Sequence, residues 1–369
     1  IVRAEYYRGL ADRQYVNPTS GVFNRGKILF TDKNGETISA ATLEQGVTIA
    51  VRPYEIENPS SVFNILAPHL PELKLEEFLV KASTSTPGRY REIARRVPED
   101  VGTRIQELEI PGIIVAKESW RFYPGGSTAA HVLGFVGFKG DTLAGRYGIE
   151  RYYDDILSRT ETGSYGNFFA EIFSTVGTTL AKRSFGGEGD VALTIEPTVQ
   201  DFLEQVVEKT KDTWSAREIG AIVINPKTGS IYAMAATPSF DPNTYNEESD
   251  VSVFANPLVE KVYEMGSTMK PLTMAAGIDV GAVSPATTYN DQGFGILNGR
   301  RFGNYDGKGR GVVSMQEVLN QSLNTGVAFV AERMGYEAFA DYFEQFGLRE
   351  ETGVDLPNEL RGLTSSLDN

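Results

Sequence analysis

The chain contains no cysteine and only two histidines, His69 and His131, among its 369 residues. Without cysteine there can be no disulfide, no thiolate nucleophile and no cysteine-ligated metal. The two histidines lie in unrelated segments and no Gly-x-Ser-x-Gly elbow is present, so a Ser-His-Asp triad finds no support. His131 lies in an apolar run, and we expect it in the core or at an interface. No metal-ligand spacing is present, and we expect no cofactor.

Basic residues are also in short supply, and no apolar run is long. The chain has 35 lysines and arginines against 49 acidic residues, so its net charge is −14, which argues against nucleic acid as a partner. No stretch approaches the roughly 18 apolar residues that a membrane span needs. Hydrophobic residues make up 41% of the chain, which is ample for a core. The length predicts about two domains.

The best candidate for a linker between two domains is the glycine-rich segment 186–189. Before it, short strands alternate with polar turns, and residues 48–56 show the partial alternation of a half-buried strand. Three segments in this part are predicted to be helical and to form a small insertion near residues 70–110: residues 73–81, 87–96 and 98–108.

After the linker, residues 191–195 are predicted to form a strand, and a helix is predicted to begin at Pro197. Five apolar residues recur at helical spacing in that helix, which predicts that they pack into the core: Val199, Phe202, Leu203, Val206 and Val207.

A serine and a lysine, Ser267 and Lys270, stand three residues apart at the start of a predicted apolar helix. Residues i and i+3 share one face of a helix, so the Lys270 amine can reach the Ser267 hydroxyl. The helix N-terminus favours a developing alkoxide, and a desolvated lysine loses its proton readily enough to act as a base. The pattern indicates a serine nucleophile that works without histidine. The alternative is an ordinary N-cap serine, with Lys270 reaching out to solvent.

A second polar pair, Ser322 and Asn324, follows in the segment Gln-Ser-Leu-Asn-Thr-Gly, between two predicted helices. A hydroxyl and an amide two residues apart can relay a proton and hold a substrate amide. One class of serine acyl-enzyme combines Ser-x-x-Lys with a Ser-x-Asn element and a Lys-Thr-Gly element. Alone, Ser-x-Asn could be a polar turn between helices, but after Ser-x-x-Lys it indicates part of the same catalytic site.

These motifs resemble those of class B (monofunctional) penicillin-binding proteins, which are peptidoglycan D,D-transpeptidases. The likeness extends over the whole chain. Four further segments resemble, in order, the family's opening strand-turn, its pedestal motif, the lead into its catalytic domain and the first hairpin of the penicilloyl-serine transferase fold: residues 25–35, 121–137, 148–157 and 225–235. Met265 and Leu323 depart from the family, which usually has proline and often serine at those positions.

The resemblance implies a mixed α+β fold in two parts. Residues 1–186 would form an elongated, β-rich pedestal or dimerisation-type domain with the helical insertion. Residues 190–369 would form the α/β transpeptidase domain, with an antiparallel sheet and a helical subdomain. That domain would be incomplete at its C-terminus, because the family's Lys-Thr-Gly strand lies downstream of Ser-x-Asn. The only Lys-Thr-Gly here, residues 227–229, precedes Ser267, and we predict a β-turn there.

The resemblance also implies the reaction, a D-Ala-D-Ala transpeptidation that cross-links stem peptides through a serine acyl-enzyme and is inhibited when β-lactams acylate the same serine. Four residues would be catalytic: Ser267 as nucleophile, Lys270 as base, Ser322 as proton relay and Asn324 as the group that positions the peptide. Three neighbours would help to bind substrate: Gly266, Thr325 and Gly326.

Partners and location follow from the same resemblance. Stem peptides of lipid-linked or nascent peptidoglycan would be the substrates. Glycosyltransferases and other membrane proteins of the division or elongation machinery (divisome or elongasome) would be the protein partners. The domains would lie outside the cytoplasmic membrane, held by a single N-terminal anchor that this chain lacks.

Two other functions stay open on the sequence. A β-lactamase or β-lactam sensor would share the Ser-x-x-Lys motif, although simple β-lactamases lack a long N-terminal pedestal. A non-catalytic scaffold for cell-wall morphogenesis would have a vestigial or incomplete cleft, although the intact Ser-x-x-Lys and Ser-x-Asn pairs argue against it. The glycine-rich residues 293–311 are predicted to form a long hairpin or loop, which the resemblance would place near the cleft; the alternative is a disordered surface excursion.

Overall fold

The computed structural model describes residues 24–83, 90–140, 142–158 and 189–367. The chain divides into two compact units, Ile1–Leu258 and Val259–Asn369. The predicted linker lies almost wholly outside the described residues, which resume at Gly189. Among the residues that the structure describes, no helix has the length and apolarity to cross a membrane. The same residues contain no group of three or more His, Cys, Asp or Glu side chains that could hold a metal ion.

The first unit is organised around one long strand, β2, of a five-stranded sheet. The strands of this unit are β1 (Ile28–Thr31), β2 (Thr37–Val51), β3 (Arg91–Val97), β4 (Ile113–Phe122), β5 (Val136–Lys139), β6 (Thr142–Gly145), β7 (Val191–Ala192), β8 (Ile219–Ile224) and β9 (Ile231–Thr237). Strand β2 pairs antiparallel with β1, β3 and β4, and β7 adds to β1 in parallel. The end of β2, residues 46–51, is buried throughout, as expected of a strand covered on both faces.

The helices of the first unit are α1 (Pro59–Leu66), α2 (Leu75–Ala82), α3 (Glu99–Glu107), α4 (Ala130–Leu133), α5 (Gly148–Tyr152), α6 (Asp154–Leu157) and α7 (Pro197–Trp214), and α8 (Pro257–Glu260) lies at the boundary between the units. Short 3-10 turns occupy Pro53–Glu55, Tyr245–Glu247 and Val251–Phe254. Leu66, Phe78 and Ile105, from the first three helices, are fully buried in one core with Val47 and Ile49 of β2.

Two of the three helices predicted near residues 70–110 are confirmed, and their grouping into an insertion stays a prediction. Helices α2 and α3 confirm the predictions for residues 73–81 and 98–108. The helix predicted for residues 87–96 is wrong where the structure describes it, because Arg91–Val97 forms strand β3; residues 87–89 lie outside the described residues. This strand pairs with β2, a partner roughly 40 to 50 residues away in sequence, and buries Ile93 and Val97 in the same core as helices α1 to α3. Pairing with a distant strand overrides a local helical pattern.

Two predicted strands, residues 48–56 and 191–195, end earlier than predicted. The strand predicted for residues 48–56 is the last part of β2, which ends at Val51 and gives way to the turn Pro53–Glu55. The strand predicted for residues 191–195 is shorter than expected, since β7 comprises Val191–Ala192.

Helix α7 begins at Pro197, as predicted. The side chain of Glu196 caps it by accepting a hydrogen bond from the Val199 N–H at 2.7 Å. The predicted apolar face is packed only in part. Val207 is buried, whereas the side chains of Phe202 and Val206 are exposed.

The turn between β8 and β9 confirms the structural prediction for residues 227–229. The Asn225 carbonyl accepts hydrogen bonds from the N–H groups of Thr228 and Gly229. Gly229 has φ +77°, a conformation that favours glycine. His131 is buried as expected, with its Nε2 atom 2.9 Å from the Val253 carbonyl oxygen.

The segments 25–35, 121–137 and 148–157, far apart in sequence, meet in a buried ionic cluster. Arg25 Nε donates to Glu150 Oε2 at 2.6 Å, and Arg121 Nε donates to Glu150 Oε1 at 2.5 Å. These three side chains are at most 3% exposed. Arg25 also pairs with Asp154 at 2.7 Å, so two cations face two anions. Pairing of this kind is what makes burial of charge tolerable.

The second unit combines short hairpins with a group of helices. Its strands are β10 (Thr288–Asp291), β11 (Phe294–Leu297), β12 (Arg300–Gly303) and β13 (Gly311–Ser314). Its helices are α9 (Lys270–Asp279), α10 (Met315–Asn320), α11 (Asn324–Met334) and α12 (Tyr336–Gln345), with 3-10 turns at Gly266–Met269 and Ser365–Leu367. Buried side chains from α9, α10 and α11 form its core around Met274, Val318 and Val330.

The glycine-rich residues 293–311 contain a regular, largely exposed hairpin, so the alternative of a disordered surface excursion is wrong for this segment. Strands β11 and β12 pair antiparallel around Asn298 and Gly299, which have φ +51° and +74°. An Asn-Gly turn with two positive φ angles matches the twist of a two-residue hairpin. Strands β10 and β13 pair antiparallel on either side of this hairpin in sequence.

Candidate active site

Ser267 lies in the 3-10 turn Gly266–Met269, which continues directly into helix α9. Gly266 has φ +55°, so it enters the turn in a conformation that side-chain-bearing residues rarely adopt. Pro271 is in the first turn of α9, where a missing N–H costs no helical hydrogen bond. The sequence therefore places the Ser267 hydroxyl at an exposed turn on the end of a packed helix.

Lys270, the first residue of α9, is buried, with 8% of its surface exposed. Its Nζ atom donates to the Ser322 carbonyl at 2.6 Å, to Ser322 Oγ at 3.0 Å and to Asn324 Oδ1 at 2.6 Å. The alternative in which Lys270 reaches out to solvent is wrong. Instead, the lysine joins the two sequence motifs that the resemblance connected.

Ser322 links the lysine to the serine. Its hydroxyl donates to Ser267 Oγ at 3.1 Å while accepting from Lys270 Nζ. Within the described residues, no hydrogen bond joins Lys270 to Ser267 directly. The expected contact between the Lys270 amine and the Ser267 hydroxyl is replaced by a path through Ser322 Oγ. The Lys270 ammonium group donates to oxygens of Ser322 and Asn324 instead.

Ser322 has φ +52°, in the left-handed region that costs a non-glycine residue about 1–2 kcal/mol. Such a conformation persists where the surroundings hold it, often at functional sites. Here the Ser322 N–H donates to the Leu319 carbonyl at 3.2 Å, and its own carbonyl accepts from Lys270. The turn thereby presents both oxygens of Ser322 to one lysine.

Asn324 is the first residue of α11, and both ends of its side-chain amide are engaged. Its Oδ1 atom accepts from Lys270, and its Nδ2 atom donates to the Gly303 carbonyl at 2.8 Å. Gly303 ends strand β12, so the hairpin of residues 294–303 contacts the site. Burial lowers the pKa of the Lys270 ammonium, because desolvation disfavours the charged form. A neutral amine is correspondingly easier to form here than on an exposed lysine.

The structure places Thr325 and Gly326 in interior contacts. The Thr325 hydroxyl donates to Asp291 Oδ1 at 2.8 Å, and a Cβ on Gly326 would lie 2.3 Å from Val318 Cγ2. Gly266 is exposed, and a Cβ there would meet nothing within 4 Å. These contacts indicate packing and turn-forming roles, and the predicted role of the three residues in substrate binding stays a prediction.

Sequence reasoning assigned no role to Asp291, Gly303 or Asn304, which lie around the start of α11, although Gly303 and Asn304 belong to the glycine-rich segment expected near the cleft. Asp291 and Asn304 are buried polar residues, at 2% and 6% exposure. The only signal in the sequence was their place among glycines in the segment between the two motifs. Polar residues in such a segment usually mark an exposed loop, so burial could not be read from the pattern.

Two family models match the chain. Residues 219–368 match the penicillin binding protein transpeptidase domain, and residues 22–167 match the penicillin-binding protein dimerisation domain. Ser267, Lys270, Ser322 and Asn324 lie within the first match. The buried ionic cluster around Glu150 lies within the second. The predicted domain boundary at residues 186–190 falls between the two matches and stays a prediction.

Curated relatives match along almost the whole chain. Stage V sporulation protein D of Bacillus subtilis is 31% identical over 349 residues, which is 93% of this chain and 52% of that protein. The peptidoglycan D,D-transpeptidase MrdA of Acinetobacter baumannii is 28% identical over 383 residues, or 95% of this chain and 54% of that protein. The chain thus spans about half the length of the curated relatives it matches.

Solved structures share the fold. Penicillin-binding protein PBP2 of Helicobacter pylori aligns with a TM-score of 0.68 at 19% identity, over 93% of this chain and 69% of that one. A structure of PBP2 from the same organism in complex with MreC aligns with a TM-score of 0.65 at 18% identity, over 92% and 67%. With the two family matches, this similarity confirms the predicted mixed α+β fold, a dimerisation domain followed by a transpeptidase domain.

Proposed function

Since this chain belongs to the class B penicillin-binding proteins, we propose that it is a peptidoglycan D,D-transpeptidase that works through an acyl-enzyme on Ser267. One observation carries the proposal. A continuous hydrogen-bonded path leads from Lys270 Nζ through Ser322 Oγ, at 3.0 Å, to Ser267 Oγ, at 3.1 Å. Such a path can activate a serine in the absence of a suitably placed histidine.

The first step is activation of the nucleophile. When Lys270 is charged, protons point from the amine to Ser322 and from Ser322 to Ser267. Loss of one proton from Lys270 allows both hydroxyl bonds to reverse, so that Ser267 donates to Ser322 and Ser322 donates to the amine. Ser267 Oγ then attacks the carbonyl carbon of the penultimate D-alanine of a stem peptide, while its proton moves to Lys270 through Ser322.

The second step breaks the peptide bond. As the C–N bond to the terminal D-alanine breaks, Ser322 passes a proton to the leaving amine and takes one back from Lys270. The Ser267 N–H is a candidate donor to the developing oxyanion. An amine of a neighbouring stem peptide then attacks the acyl-enzyme and gives up a proton to Lys270 through Ser322. As the ester C–O bond breaks, that proton returns through Ser322 to Ser267 Oγ, which forms the cross-link and releases Ser267. A β-lactam would acylate the same oxygen.

Asn324 has two roles in this mechanism. Its Oδ1 atom holds the Lys270 amine, and the Gly303 carbonyl fixes the amide's orientation. Its side chain is exposed beside the Lys270–Ser322–Ser267 path, where it can also bind the peptide backbone of the substrate. A rigid polar group held on one side by the protein can orient a substrate without a large entropy cost.

The proposal extends to partners and location. The substrates are stem peptides of lipid-linked or nascent peptidoglycan, and the site of action is outside the cytoplasmic membrane. Because a solved structure of similar fold contains MreC, the expected protein partners are membrane proteins of the elongation or division machinery, glycosyltransferases among them. The match to a dimerisation domain over residues 22–167 favours this function over a simple β-lactamase.

The direct test uses the full-length protein with a synthetic stem pentapeptide ending in D-Ala-D-Ala and a D-amino acid as acceptor. Mass spectrometry is expected to detect release of D-alanine and formation of the exchanged peptide, and Ser267→Ala is expected to abolish both. Thr268→Ala is the matched control and is expected to keep both activities. The Thr268 hydroxyl donates to the Met265 carbonyl at 2.5 Å and not to the path from Lys270 to Ser267. Undiminished turnover in Ser267→Ala would reject the proposal.

A further inference from the structure

The carboxylate of Asp291, at the end of strand β10, is buried near the start of α11 and has no part in the mechanism above. It accepts hydrogen bonds from the N–H of Gly293 at 2.9 Å and from the N–H of Arg310 at 3.1 Å. It also accepts from Asn304 Nδ2 at 2.9 Å and from the Thr325 hydroxyl at 2.8 Å. All four partners are donors, so the position requires a group that only accepts.

Asn304 connects this carboxylate to the start of helix α11. Its Nδ2 atom donates to Asp291, and its Oδ1 atom accepts the Thr325 N–H at 3.3 Å. The residue before it, Gly303, accepts the hydrogen bond from Asn324 Nδ2 at 2.8 Å. The last residue of the hairpin, Gly303, and the residue after it, Asn304, therefore hold two consecutive residues of the helix, and Asp291 holds a member of each pair.

The start of α11 depends on this arrangement because it has no local cap. Leu323 occupies the N-cap position and supplies no side-chain hydrogen bond. The first N–H groups of a helix need partners from outside it, and Asn304 provides one for Thr325. A negative charge near this end is also favourable to the helix dipole. The position of Asn324 is thus set by side chains that are distant in sequence.

The charge state of Asp291 suits this role. Burial by itself would raise its pKa, but the hydrogen bonds from Gly293, Thr325, Arg310 and Asn304 outweigh that effect and hold the pKa below its usual value. The carboxylate is therefore ionised, and able only to accept, throughout the neutral pH range.

We infer that Asp291 is a positioning residue for acyl transfer. It fixes Asn304 and Thr325, and through them the Asn324 amide that holds the Lys270 amine. This inference rests on the proposed function. It assigns to a buried carboxylate outside both sequence motifs a part in setting the rate of acylation.

The test is Asp291→Asn in the full-length protein. Asparagine has nearly the same shape, but its NH2 group would face donors where Asp291 offers an acceptor. Stopped-flow acylation by a fluorescent penicillin gives the rate constant, and intact mass gives the acylated fraction. A displacement of about 1 Å at a catalytic group can cost on the order of 100-fold. We expect the rate constant to fall about 10- to 100-fold, with one acyl group still bound per chain.

Controls separate positioning from folding. Asp306→Asn removes the neighbouring carboxylate, whose partners are Arg310 and the Lys308 N–H, and is expected to leave the rate constant unchanged. Thr325→Val removes one of the four donors without changing shape. It is expected to slow acylation, and Thr325→Ser is expected to be faster than Thr325→Val. Combining Asp291→Asn with Thr325→Val is expected to cost less than the product of the two single effects.

The outcomes are distinct. If Asp291→Asn lowers only the melting temperature and the acylated fraction, with an unchanged rate constant per acylated molecule, Asp291 is merely structural and the inference is overturned while the proposed function stands. If Asp291→Asn does not fold, the comparison of Thr325→Val with Thr325→Ser decides, and equal rate constants would overturn the inference. A parent protein that forms no acyl-enzyme would overturn the proposed function and the inference together.

Discussion

Ser322 Oγ lies 3.0 Å from the Lys270 amine, and its own backbone is held at φ +52° by the same lysine's bond to its carbonyl. The hydroxyl that completes the path to Ser267 is therefore carried by a residue in a conformation that only glycine adopts freely. Because strain and catalysis reside in the same residue, two different substitutions of Ser322 can separate its effect on stability from its effect on the reaction.

Ser322→Gly and Ser322→Ala are expected to differ in stability but not in chemistry. Glycine relieves the left-handed strain at some cost in chain entropy, so the free energy of unfolding should stay within about 1 kcal/mol of the parent. Alanine keeps the strain and should be the less stable of the two in urea unfolding. Both lose the hydroxyl, and acylation should slow by about 10²–10⁴-fold, the usual contribution of general acid–base catalysis. Rapid acylation by either variant would contradict the relay.

The acylation rate is expected to rise with pH as Lys270 loses its proton. Because the pKa of Lys270 is lowered, the rate should level off at a pH below the usual lysine value of about 10.4. Lys270→Arg should be inactive across the range, since a guanidinium stays protonated. A flat pH profile of the parent, measured with a fluorescent penicillin, would rule out lysine as the base.

The same lowered pKa makes a prediction for stability. The unfolded chain, with an ordinary lysine, binds more protons than the folded chain between the folded and unfolded pKa values of Lys270. The contribution of Lys270 to the free energy of unfolding should therefore increase with pH across that window. Comparing urea unfolding of the parent and Lys270→Met as a function of pH measures this contribution. The free energy of unfolding of the parent minus that of the variant should rise with pH, and a value that falls would contradict the lowered pKa.

The buried ionic cluster predicts a large effect of Glu150→Gln. The change leaves Arg25 and Arg121 buried with too little negative charge, and breaking a buried ion pair from one side costs about 3–5 kcal/mol. Urea unfolding should report a loss of this size. Asp100→Asn, which removes an exposed ion pair with Arg104 at 2.9 Å, is the matched control and should change little. Equal effects of the two changes would show that the cluster contributes no special stability.

Gly326→Ala tests whether Gly326 packs or binds substrate. An added Cβ would lie 2.3 Å from Val318 Cγ2, and overpacking of a core typically costs about 1–3 kcal/mol. We expect a lower melting temperature and an unchanged Michaelis constant for the stem peptide. A raised Michaelis constant at an unchanged melting temperature would instead support the predicted role in substrate binding.

The part of the site that is local in sequence could be predicted. Ser267 and Lys270 lie close in sequence, as do Ser322 and Asn324, so each pair could be singled out from its spacing. The resemblance was needed to join the two pairs, and the expected direct contact between Lys270 and Ser267 is replaced by the relay through Ser322. The bond from Lys270 to Ser322 could not be predicted, because it depends on the left-handed backbone of Ser322. Asp291 and Thr325 are 34 residues apart, and no local pattern signals that both are buried against each other.

The fold shows the same division. Helices such as α2 and α3 carry their own periodic pattern and were predicted. Strand β3 was mistaken for a helix because its partner, β2, lies far away in sequence, and pairing with it decides the conformation. Phe202 was predicted to be in the core from helical spacing, yet 67% of its surface is exposed, since periodicity marks a face of a helix without showing what covers it.

The measurement that tests the central claim most directly is the intact mass of the full-length protein after incubation with benzylpenicillin, followed by peptide mapping of the adduct. The account predicts one penicilloyl group per chain, on Ser267, and none on Ser267→Ala. An unmodified parent, or an adduct that persists in Ser267→Ala, would contradict it.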